Sequence, residues 1–472
     1  MMDPAQNSSA SIRTAEPSIP GPVVLARAVA ALVRAAGLHS RLVRGAVGVL
    51  LLRVSLAVIT FFLNIALVRW LGTADYGAYA YSLAWLIVLG VPALLVLDQL
   101  LLRSVAGYKV RSAWGPLRRL VRQATGAAGL AAIVLATLAG TVAWLWSSST
   151  EARTLATFWV ALLLLPLTTL TRVRQAVLQG LHHVVIAQLP ETVLQPFLLL
   201  ALVTGAWLWY GDALTAPVVM GLNVVTIAIA FVIGSILLWR HLPRAADGGL
   251  ATSGDWSWLH SSLPLMCFSA VNVFTAEIDL LILGALKGPD AVGIYSVAVR
   301  TAELIPFVLQ AVLPALAPHM ASLHAAADTP GLQRLVTRAT RATLAMAIPV
   351  AASLILGGGW LLGLLYGPRL VEGQLALAIL SISQLVNVGM GPVGMLLTMT
   401  GYERDALVCI GASGALNFLL CVVMIPAWGV NGAAVAASAS LILWNLFMAL
   451  CAARRLRIHC GALGGFGVAR QA

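Results

Sequence analysis

Charged residues are scarce in this sequence. Only 10% of its 472 residues are charged, and lysine occurs twice, at positions 109 and 287. Soluble globular domains carry about a quarter of their residues as charged side chains. Hydrophobic residues make up 60% of the chain. This balance excludes an ordinary soluble domain and indicates a polytopic membrane protein.

The sequence also lacks the usual motifs of catalysis and metal binding. It has no Walker-type phosphate loop and no cluster of residues with metal-ligand spacing. Its five cysteines are odd in number and fall mostly inside apolar blocks. We therefore interpret the cysteines as packing residues, and we expect no cofactor, no metal site and no catalytic residues.

Apolar blocks account for most of the chain. A helix needs about 20 apolar residues to cross roughly 30 Å of hydrocarbon, and open strands would leave backbone groups unpaired in lipid. Twelve blocks meet this requirement, so we predict an all-α polytopic membrane protein with about twelve transmembrane helices. The blocks span residues 47–69, 78–101, 124–147, 155–177, 184–209, 214–239, 261–285, 291–318, 341–366, 374–400, 406–427 and 430–453.

Arginines fall on every second connection between these blocks. Short cytoplasmic loops retain positive residues, which places both termini in the cytoplasm. The formal net charge of +12 follows from this topology, so we expect no nucleic-acid binding. The arginine-rich loops carry Arg103, Lys109, Arg111, Arg118, Arg119 and Arg122, then Arg172 and Arg174, then Arg240 and Arg244, then Arg334, Arg338 and Arg341, and last Arg404.

The chain begins with a polar stretch rich in proline, serine and alanine, which differs from a cleavable signal peptide. We predict that residues 1–22 form a disordered cytoplasmic tail. In residues 23–45, four arginines recur within about 100° of one helical face, which predicts a basic amphipathic helix on the inner leaflet. An ordinary basic flank of the first span is the alternative. The arginines are Arg27, Arg34, Arg41 and Arg44.

A short motif occurs twice, as LGTADYGAY and as KGPDAVGIY, at a constant offset of 216 residues. Each copy lies in the turn between the first and second spans of one half. This predicts two parallel six-helix repeats at 46–239 and 259–453, joined by a cytoplasmic linker at 240–258 and followed by a cytoplasmic tail at 454–472. Transporters built from such repeats bind substrate between the halves. The matching residues are Gly72 and Gly288, Gly77 and Gly293, and Tyr79 and Tyr295.

Two arginines lie inside predicted spans, where a charge is costly and marks a candidate functional site. Arg53 could line a cavity and bind an anionic head group through its planar guanidinium, or it could extend to the inner surface. Arg300 lies deeper and shares a helical face with Glu303, three residues later. This pair either belongs to a substrate cavity or only stabilises helix packing.

Four further acidic residues lie within spans or at their ends. Glu277 and Asp279 point about 200° apart on one helix. We expect one of them to pack against Arg300, and either could carry a coupling proton or cation. Glu191 belongs to a polar patch that lines a cavity or makes a helix contact. Asp98 is expected to end a span at the inner surface.

Arg172 and Arg174 close the fourth span and are flanked by threonines. Positive charges at this position could recruit a lipid diphosphate from the inner leaflet. Ordinary positive-inside anchoring is the alternative.

Three stretches carry a resemblance to a known family: LVRWLGTADYGAYAYSLAW, EIDLLILGALKGPDAVGIYSVAVRTAEL and IPAWGVNGAAVAASAS. They resemble the polysaccharide biosynthesis (Wzx-type) flippases, in the superfamily that also holds the multidrug and toxin extruders and the lipid II flippases. The resemblance covers residues 45–453. It implies a V-shaped, two-lobed bundle in the bacterial cytoplasmic membrane.

The resemblance also implies a cargo. Members of this family move undecaprenyl-diphosphate-linked oligosaccharides from the inner to the outer leaflet through a cationic central cavity, for polymers such as exopolysaccharide. The implied partners are the lipid-linked oligosaccharide, membrane lipids, and a polysaccharide polymerase with its export machinery. The positions that match the family's pattern are Arg53, Asp279, Arg300 and Glu303.

Two alternatives remain open. A cation-coupled drug extruder of the same fold should bind organic cations through acidic residues in its amino-terminal half, and that half has only Asp98 and Glu191 within spans, against Arg53. A membrane-embedded glycosyltransferase or polymerase needs a sizeable outer loop with residues placed for chemistry. The predicted outer loops are short, so we expect a transporter and no enzyme.

Overall fold

The computed structural model describes residues 40–94, 97–145, 151–242 and 257–462, and these ranges are helical apart from short turns. Residues Leu51–Ala472 form one compact unit, to which all contacts below belong. The predicted tail 1–22 lies outside the described residues. So do residues 23–39 of the predicted surface helix and most of the predicted linker.

We number the α-helices in chain order. A π-helical turn covers Pro190–Leu194, and short 3₁₀ turns cover Gly211–Ala213 and Pro368–Gly373. The α-helices are α1 Ser40–Leu94, α2 Leu97–Val110, α3 Trp114–Leu145, α4 Ala152–Leu162, α5 Leu164–Gly180, α6 Val184–Leu189, α7 Gln195–Tyr210, α8 Ala216–His241, α9 Ser257–Ala302, α10 Phe307–Ala325, α11 Thr329–Tyr366, α12 Gln374–Met390, α13 Val393–Met399 and α14 Glu403–Leu456.

Nine helical segments in the described part of the chain are long and apolar enough to cross a membrane, or ten when the bent helix α10 is counted as one span. Three of the nine belong to α1, α9 and α14, which each contain a glycine with a non-helical backbone. Helix α14 covers two of the predicted apolar blocks, and α1 and α9 each cover one block and part of the next. The predicted all-α, multi-pass membrane protein is therefore confirmed, whereas the number of twelve crossings stays a prediction.

The backbone breaks recur between the two halves of the sequence. Gly72 has φ 75° and ψ 179°, and Gly288 has φ 81° and ψ 179°. Gly211, after α7, has φ 53° and ψ −131°, and Gly429, within α14, has φ 54° and ψ −126°. Positive φ is strained for residues that carry a Cβ atom. The repeated sequence motif therefore corresponds to a repeated backbone conformation.

The two repeated turns pack against each other reciprocally. A Cβ atom added at Gly77 would lie 1.7 Å from the carbonyl oxygen of Pro289, and one added at Gly293 would lie 2.1 Å from the carbonyl oxygen of Thr73. Pro289 is the equivalent of Thr73 at the repeat offset of 216 residues. The two copies of the motif therefore touch through the same surface on each side, as in the isologous interface of a two-fold dimer. The Thr73 hydroxyl also donates a hydrogen bond to Asp290.

Further contacts join the same parts of the chain. The Nε atom of Arg69 donates to the carbonyl oxygen of Leu365 at 2.7 Å, and a terminal nitrogen of Arg69 donates to that of Leu364. The ring of Tyr81 occupies the space beside Gly284, where a Cβ atom would lie 2.4 Å from it. Helix α1 is thereby held against both α9 and the end of α11.

Four strongly exposed tryptophans stand at helix ends opposite the arginine-rich loops, and a fifth, Trp239, stands beside Arg240 at the arginine-rich end of α8. Trp144 and Trp209 stand at the ends of α3 and α7, Trp360 in the last two turns of α11, and Trp428 beside the break in α14; they are 59–85% exposed. Tryptophan is enriched where a membrane protein meets the lipid–water interface. These positions are typical of an aromatic belt around a multi-pass protein.

Gly77→Ala should lower the melting temperature of the purified protein in detergent, because the added methyl group would overlap the carbonyl oxygen of Pro289. Overpacking of this kind costs about 1–3 kcal/mol. Gly221→Ala is the matched control, since a Cβ atom there meets nothing within 4 Å and alanine favours a helix. Equal melting temperatures for the two variants would contradict the contact between the turns.

Candidate functional site

The structure gathers most of the predicted charged residues into two clusters. Each lies on or directly beside helical segments that qualify as membrane spans, where a charge needs a partner or access to water. The Arg300 cluster consists of Tyr76, Glu277, Arg300 and Glu303. The Arg174 cluster consists of Arg174, Gln175 and Glu191.

Arg300 forms an ion pair that remains accessible. Its Nη1 atom lies 3.2 Å from Oε2 of Glu303, and the two side chains are 52% and 45% exposed. Arg300 also interacts electrostatically with Glu277 and with the hydroxyl group of Tyr76. Because Tyr76 belongs to α1 and Arg300 to α9, the guanidinium lies where the two halves of the chain meet. A guanidinium has five N–H donors, so this ion pair leaves donors for a further anion.

Arg300 stands at the edge of a densely packed contact. Residues 292–298 are all buried, and exposure begins at Arg300. At 1.5 Å per residue, Arg300 lies about 18 Å along the helix from the break at Gly288. This distance is about half of a 30 Å hydrocarbon core. The charge therefore lies at membrane depth and is exposed at the protein surface.

Asp279 is buried and bound locally. The hydroxyl of Tyr295 donates a hydrogen bond to one carboxylate oxygen, and the backbone N–H of Leu280 donates to the other at 2.9 Å. Glu277 points to another side of the same helix and is the one of the two that interacts electrostatically with Arg300. The two carboxylates thus have different surroundings, as their spacing of two residues requires.

The Arg174 cluster is closed. The side chain of Arg174 is 4% exposed and forms an ion pair with Glu191 of the π-helical turn. It also donates to the carbonyl oxygens of Ala230 and Phe231 at 3.3 and 3.2 Å. Gln175 donates to the second oxygen of Glu191 at 3.0 Å. These bonds tie α5, the π-helical turn and α8 together.

The guanidinium of Arg174 occupies a notch at Gly234. A Cβ atom at Gly234 would lie 1.2 Å from Nη1 of Arg174, and the ring of Phe231 lies 5.9 Å from the guanidinium carbon. Arg174 is therefore held inside the protein in this conformation and does not reach a lipid head group at the surface. Arg172, two residues earlier, is exposed.

A chain of hydrogen bonds leads from α7 to the repeated motif in α1. The amide of Gln195 donates to Asn223 at 3.1 Å, and the amide of Asn223 donates to the hydroxyl oxygen of Tyr79 at 3.2 Å. Asn223 and Tyr79 are both buried. The polar residues of the amino-terminal half are thus bonded to one another across three helices.

Four predicted site residues lie outside both clusters: Asp279 and Arg172, described above, and Arg53 and Asp98. Arg53 belongs to α1, but its side chain lies outside the described part of the structure. Asp98 stands in the first turn of α2, where the helix dipole favours a negative charge.

Sequence reasoning missed three residues that complete these arrangements: Tyr76, Asn223 and Gly234. Asn223 is an amide inside an apolar block, and this signal could have identified it. Gly234 gives no such signal, because small residues are common throughout the spans. Tyr76 lies within the repeated motif, but its proximity to Arg300 depends on the contact between α1 and α9.

Removing one partner of the Arg174–Glu191 pair should destabilise the protein, because the other charge stays buried. Such single substitutions cost about 3–5 kcal/mol. We expect Arg174→Met or Glu191→Gln to lower the melting temperature in detergent far more than Arg172→Met, which changes an exposed side chain. The double variant R174M/E191Q should recover part of the loss, and strictly additive losses would contradict a direct pair.

Sequence comparisons identify relatives of this chain. The profile of a family described as "Polysaccharide biosynthesis protein" matches residues 42–324, and that of the MatE family matches residues 264–423. The probable flippase AglR of Haloferax volcanii is 30% identical over 281 residues, which are 57% of this chain and 55% of the relative. The chain thus matches about half the length of this curated relative.

Solved structures share the fold. An inward-facing multidrug resistance MATE family transporter of the MOP superfamily aligns with a TM-score of 0.67 and 13% identity, over 86% of this chain and 98% of its own. The lipid II flippase MurJ, in an inward closed conformation, aligns with a TM-score of 0.66 and 12% identity, over 85% and 87%. The chain belongs to the polysaccharide biosynthesis protein family, the Wzx-type branch of the superfamily that also holds the multidrug and toxin extruders and the lipid II flippases.

Proposed function

We propose that this protein flips undecaprenyl-diphosphate-linked oligosaccharides from the inner to the outer leaflet of the bacterial cytoplasmic membrane. In this scheme Arg300 binds the diphosphate, the sugars cross in an aqueous cavity and the polyprenyl tail stays in lipid. Membership of the family supports the flippase class. A polysaccharide polymerase and export machinery would then use the flipped product, with membrane lipids as the surrounding partners.

The accessibility of Arg300 is the observation that carries the proposal. Charged residues at membrane depth normally face a partner or a water-filled cavity. Arg300 pairs with Glu303, yet 52% of its side chain stays exposed. A diphosphate carries more negative charge than one carboxylate and suits the bidentate geometry of guanidinium. A lipid diphosphate can therefore compete with Glu303 for this side chain.

The contact between the repeated turns suggests which state of the cycle is seen. In our scheme the turns at Gly77 and Gly293 lie at the outer end, with four of the exposed tryptophans. Their close packing shuts that end, so the lipid would reach Arg300 from the arginine-rich, cytoplasmic end. Flipping by alternating access then requires the two turns to separate.

A cation-coupled multidrug extruder is the second candidate function, and the MATE-like fold and the MatE match favour it. Such a protein needs a carboxylate that is available to an organic cation. Glu191 is bound by Arg174 and Gln175, and Asp279 is bound by Tyr295. Glu303 is 45% exposed but pairs with Arg300, and the engagement of these carboxylates favours an anionic cargo.

Flipping in proteoliposomes tests the role of Arg300. We expect Arg300→Gln to abolish flipping of an undecaprenyl-diphosphate-linked oligosaccharide, because the diphosphate loses its guanidinium partner. Glu303→Gln should keep flipping, since it removes the ion pair and leaves Arg300 in place. Arg172→Gln provides a second matched control at an exposed arginine.

The alternatives give different results in the same assay. If Arg300 only stabilises helix packing through Glu303, the variants R300Q and E303Q should fail equally and melt at equally lowered temperatures. Absence of flipping by the unaltered protein, together with uptake of a cationic dye that depends on a pH gradient, would support the extruder.

Cross-linking the repeated turns tests the alternating-access scheme. The side chains of Thr73 and Asp290 are hydrogen-bonded, so T73C/D290C in a background without the native cysteines should form a disulfide under oxidation. We expect this disulfide to stop flipping and a reductant to restore it. The single variant T73C is the control, and full flipping by the cross-linked protein would contradict the scheme.

A further inference from the structure

A pocket of about 210 Å³ lies at the arginine-rich end of the carboxyl-terminal half, and along the chain it begins at the far end of α10 from the Arg300 cluster. It is bordered by the end of α10, the beginning of α11 and both ends of α14. Leu332 and Ile458 give it an apolar floor, and His324, Tyr402 and Arg455 give it a polar rim. Neither cluster described above contributes to it.

The segment after α14 forms one wall of the pocket and is hydrogen-bonded to α11. Ile458 is fully buried and Leu332 is 2% exposed. The backbone of His459 exchanges two hydrogen bonds of 2.9 Å with the side-chain amide of Gln333 in α11. Arg341, farther along α11, donates to the carbonyl oxygen of Ala462 at 2.9 Å. The pocket is therefore a fixed part of the fold.

Arg455 is held in position without using most of its donors. Its Nε atom donates to Asp405 at 2.9 Å, and the guanidinium carbon lies 5.8 Å from the ring centroid of Tyr402. The side chain is 57% exposed. The four N–H groups on its terminal nitrogens are thus left for a ligand in the pocket.

The surroundings of the pocket are positively charged. Arg454 and Arg457 flank Arg455 in the sequence and are exposed. The 38-residue helix α11 begins at Thr329 on the pocket rim. Its positive end is already capped by the carboxylate of Asp328, which accepts from the backbone N–H of Gly331 at 2.8 Å, so the excess positive charge comes from the arginines. The nearby carboxylate of Asp405 is already neutralised by Arg455.

We propose that this pocket binds a phosphate-bearing anion with an apolar portion, such as the head group and adjoining chain of an anionic phospholipid. The guanidinium fork of Arg455 matches phosphate oxygens, and the hydroxyl of Tyr402 and the imidazole of His324 supply further polar contacts at the rim. The apolar floor takes the hydrocarbon next to the phosphate. The predicted cytoplasmic position brings the pocket beside the anionic inner leaflet.

Native mass spectrometry of the full chain in detergent tests this site, with phosphatidylglycerol as the probe and phosphatidylcholine as the neutral comparison. We expect the unaltered protein to retain phosphatidylglycerol preferentially. Arg455→Gln should bind it about tenfold more weakly, as expected for the loss of one charge-assisted hydrogen bond. Arg454→Gln is the matched control, because it removes the same charge from an exposed residue outside the pocket lining, and it should weaken binding far less.

Two more variants separate ligand binding from the fold. Asp405→Asn breaks the ion pair but keeps Arg455, so phosphatidylglycerol binding should persist. His324→Gln leaves the ion pair between Arg455 and Asp405 intact and should weaken phosphatidylglycerol binding without a change in melting temperature. This variant still tests the site if Arg455→Gln does not fold.

Inorganic phosphate distinguishes the possible sources of the ligand. Displacement of phosphatidylglycerol by millimolar phosphate would assign the site to soluble phosphate compounds, and persistence of the bound lipid would assign it to the membrane. Equal binding by the unaltered protein and R455Q would overturn the proposal. So would an equal loss in R454Q, or binding of neither probe by the unaltered protein.

Discussion

The backbone contact between the two repeated turns determines how the rest of the protein is arranged. At Gly77 and Gly293 the main chains approach so closely that no side-chain atom fits between them. This approach sets the position of α1 against α9, and it therefore sets the distance between Tyr76 on one helix and Arg300 on the other. A backbone contact of this kind has no long side chains to rearrange, so it can be fully made or fully broken. Two such discrete arrangements are what a bistable transport protein needs.

The two charge clusters differ in how far the protein encloses the charge. Arg174 is enclosed by Glu191, two carbonyl oxygens and the notch at Gly234, so its charge is offset within the protein. Arg300 pairs with Glu303, but 52% of its side chain remains exposed. At the repeat offset, Arg300 and Glu303 correspond to Ala84 and Ile87 in the amino-terminal half. The two halves therefore share their backbone breaks and differ in their charges.

Hydropathy was sufficient to predict the all-α, multi-pass fold, because lipid allows few ways to satisfy a backbone. The two copies of a nine-residue motif likewise predicted a duplicated turn, since a glycine with positive φ is needed at the same place in each copy. The partners of the charges could not be predicted in this way. The bonding of Arg174 to Glu191 depends on how α5 and the π-helical turn are oriented and on the absence of a Cβ atom at Gly234 in α8. Asp279 similarly bonds to Tyr295, a residue on the far side of the break at Gly288, and helical spacing alone does not bring these two together.

The reciprocal form of the turn contact also restricts how this gene can change. Gly77 follows the break at Gly72 by five residues, and Gly293 follows the break at Gly288 by the same number. One inserted or deleted residue in either turn would rotate its glycine by about 100° around the helix axis and turn it away from the opposite main chain. Since each turn supplies both the glycine of one contact and the carbonyl oxygen of the other, a length change in one copy would spoil both contacts at once. A change of length in either turn should therefore disturb the protein far more than a change of length in a loop that makes no such contact.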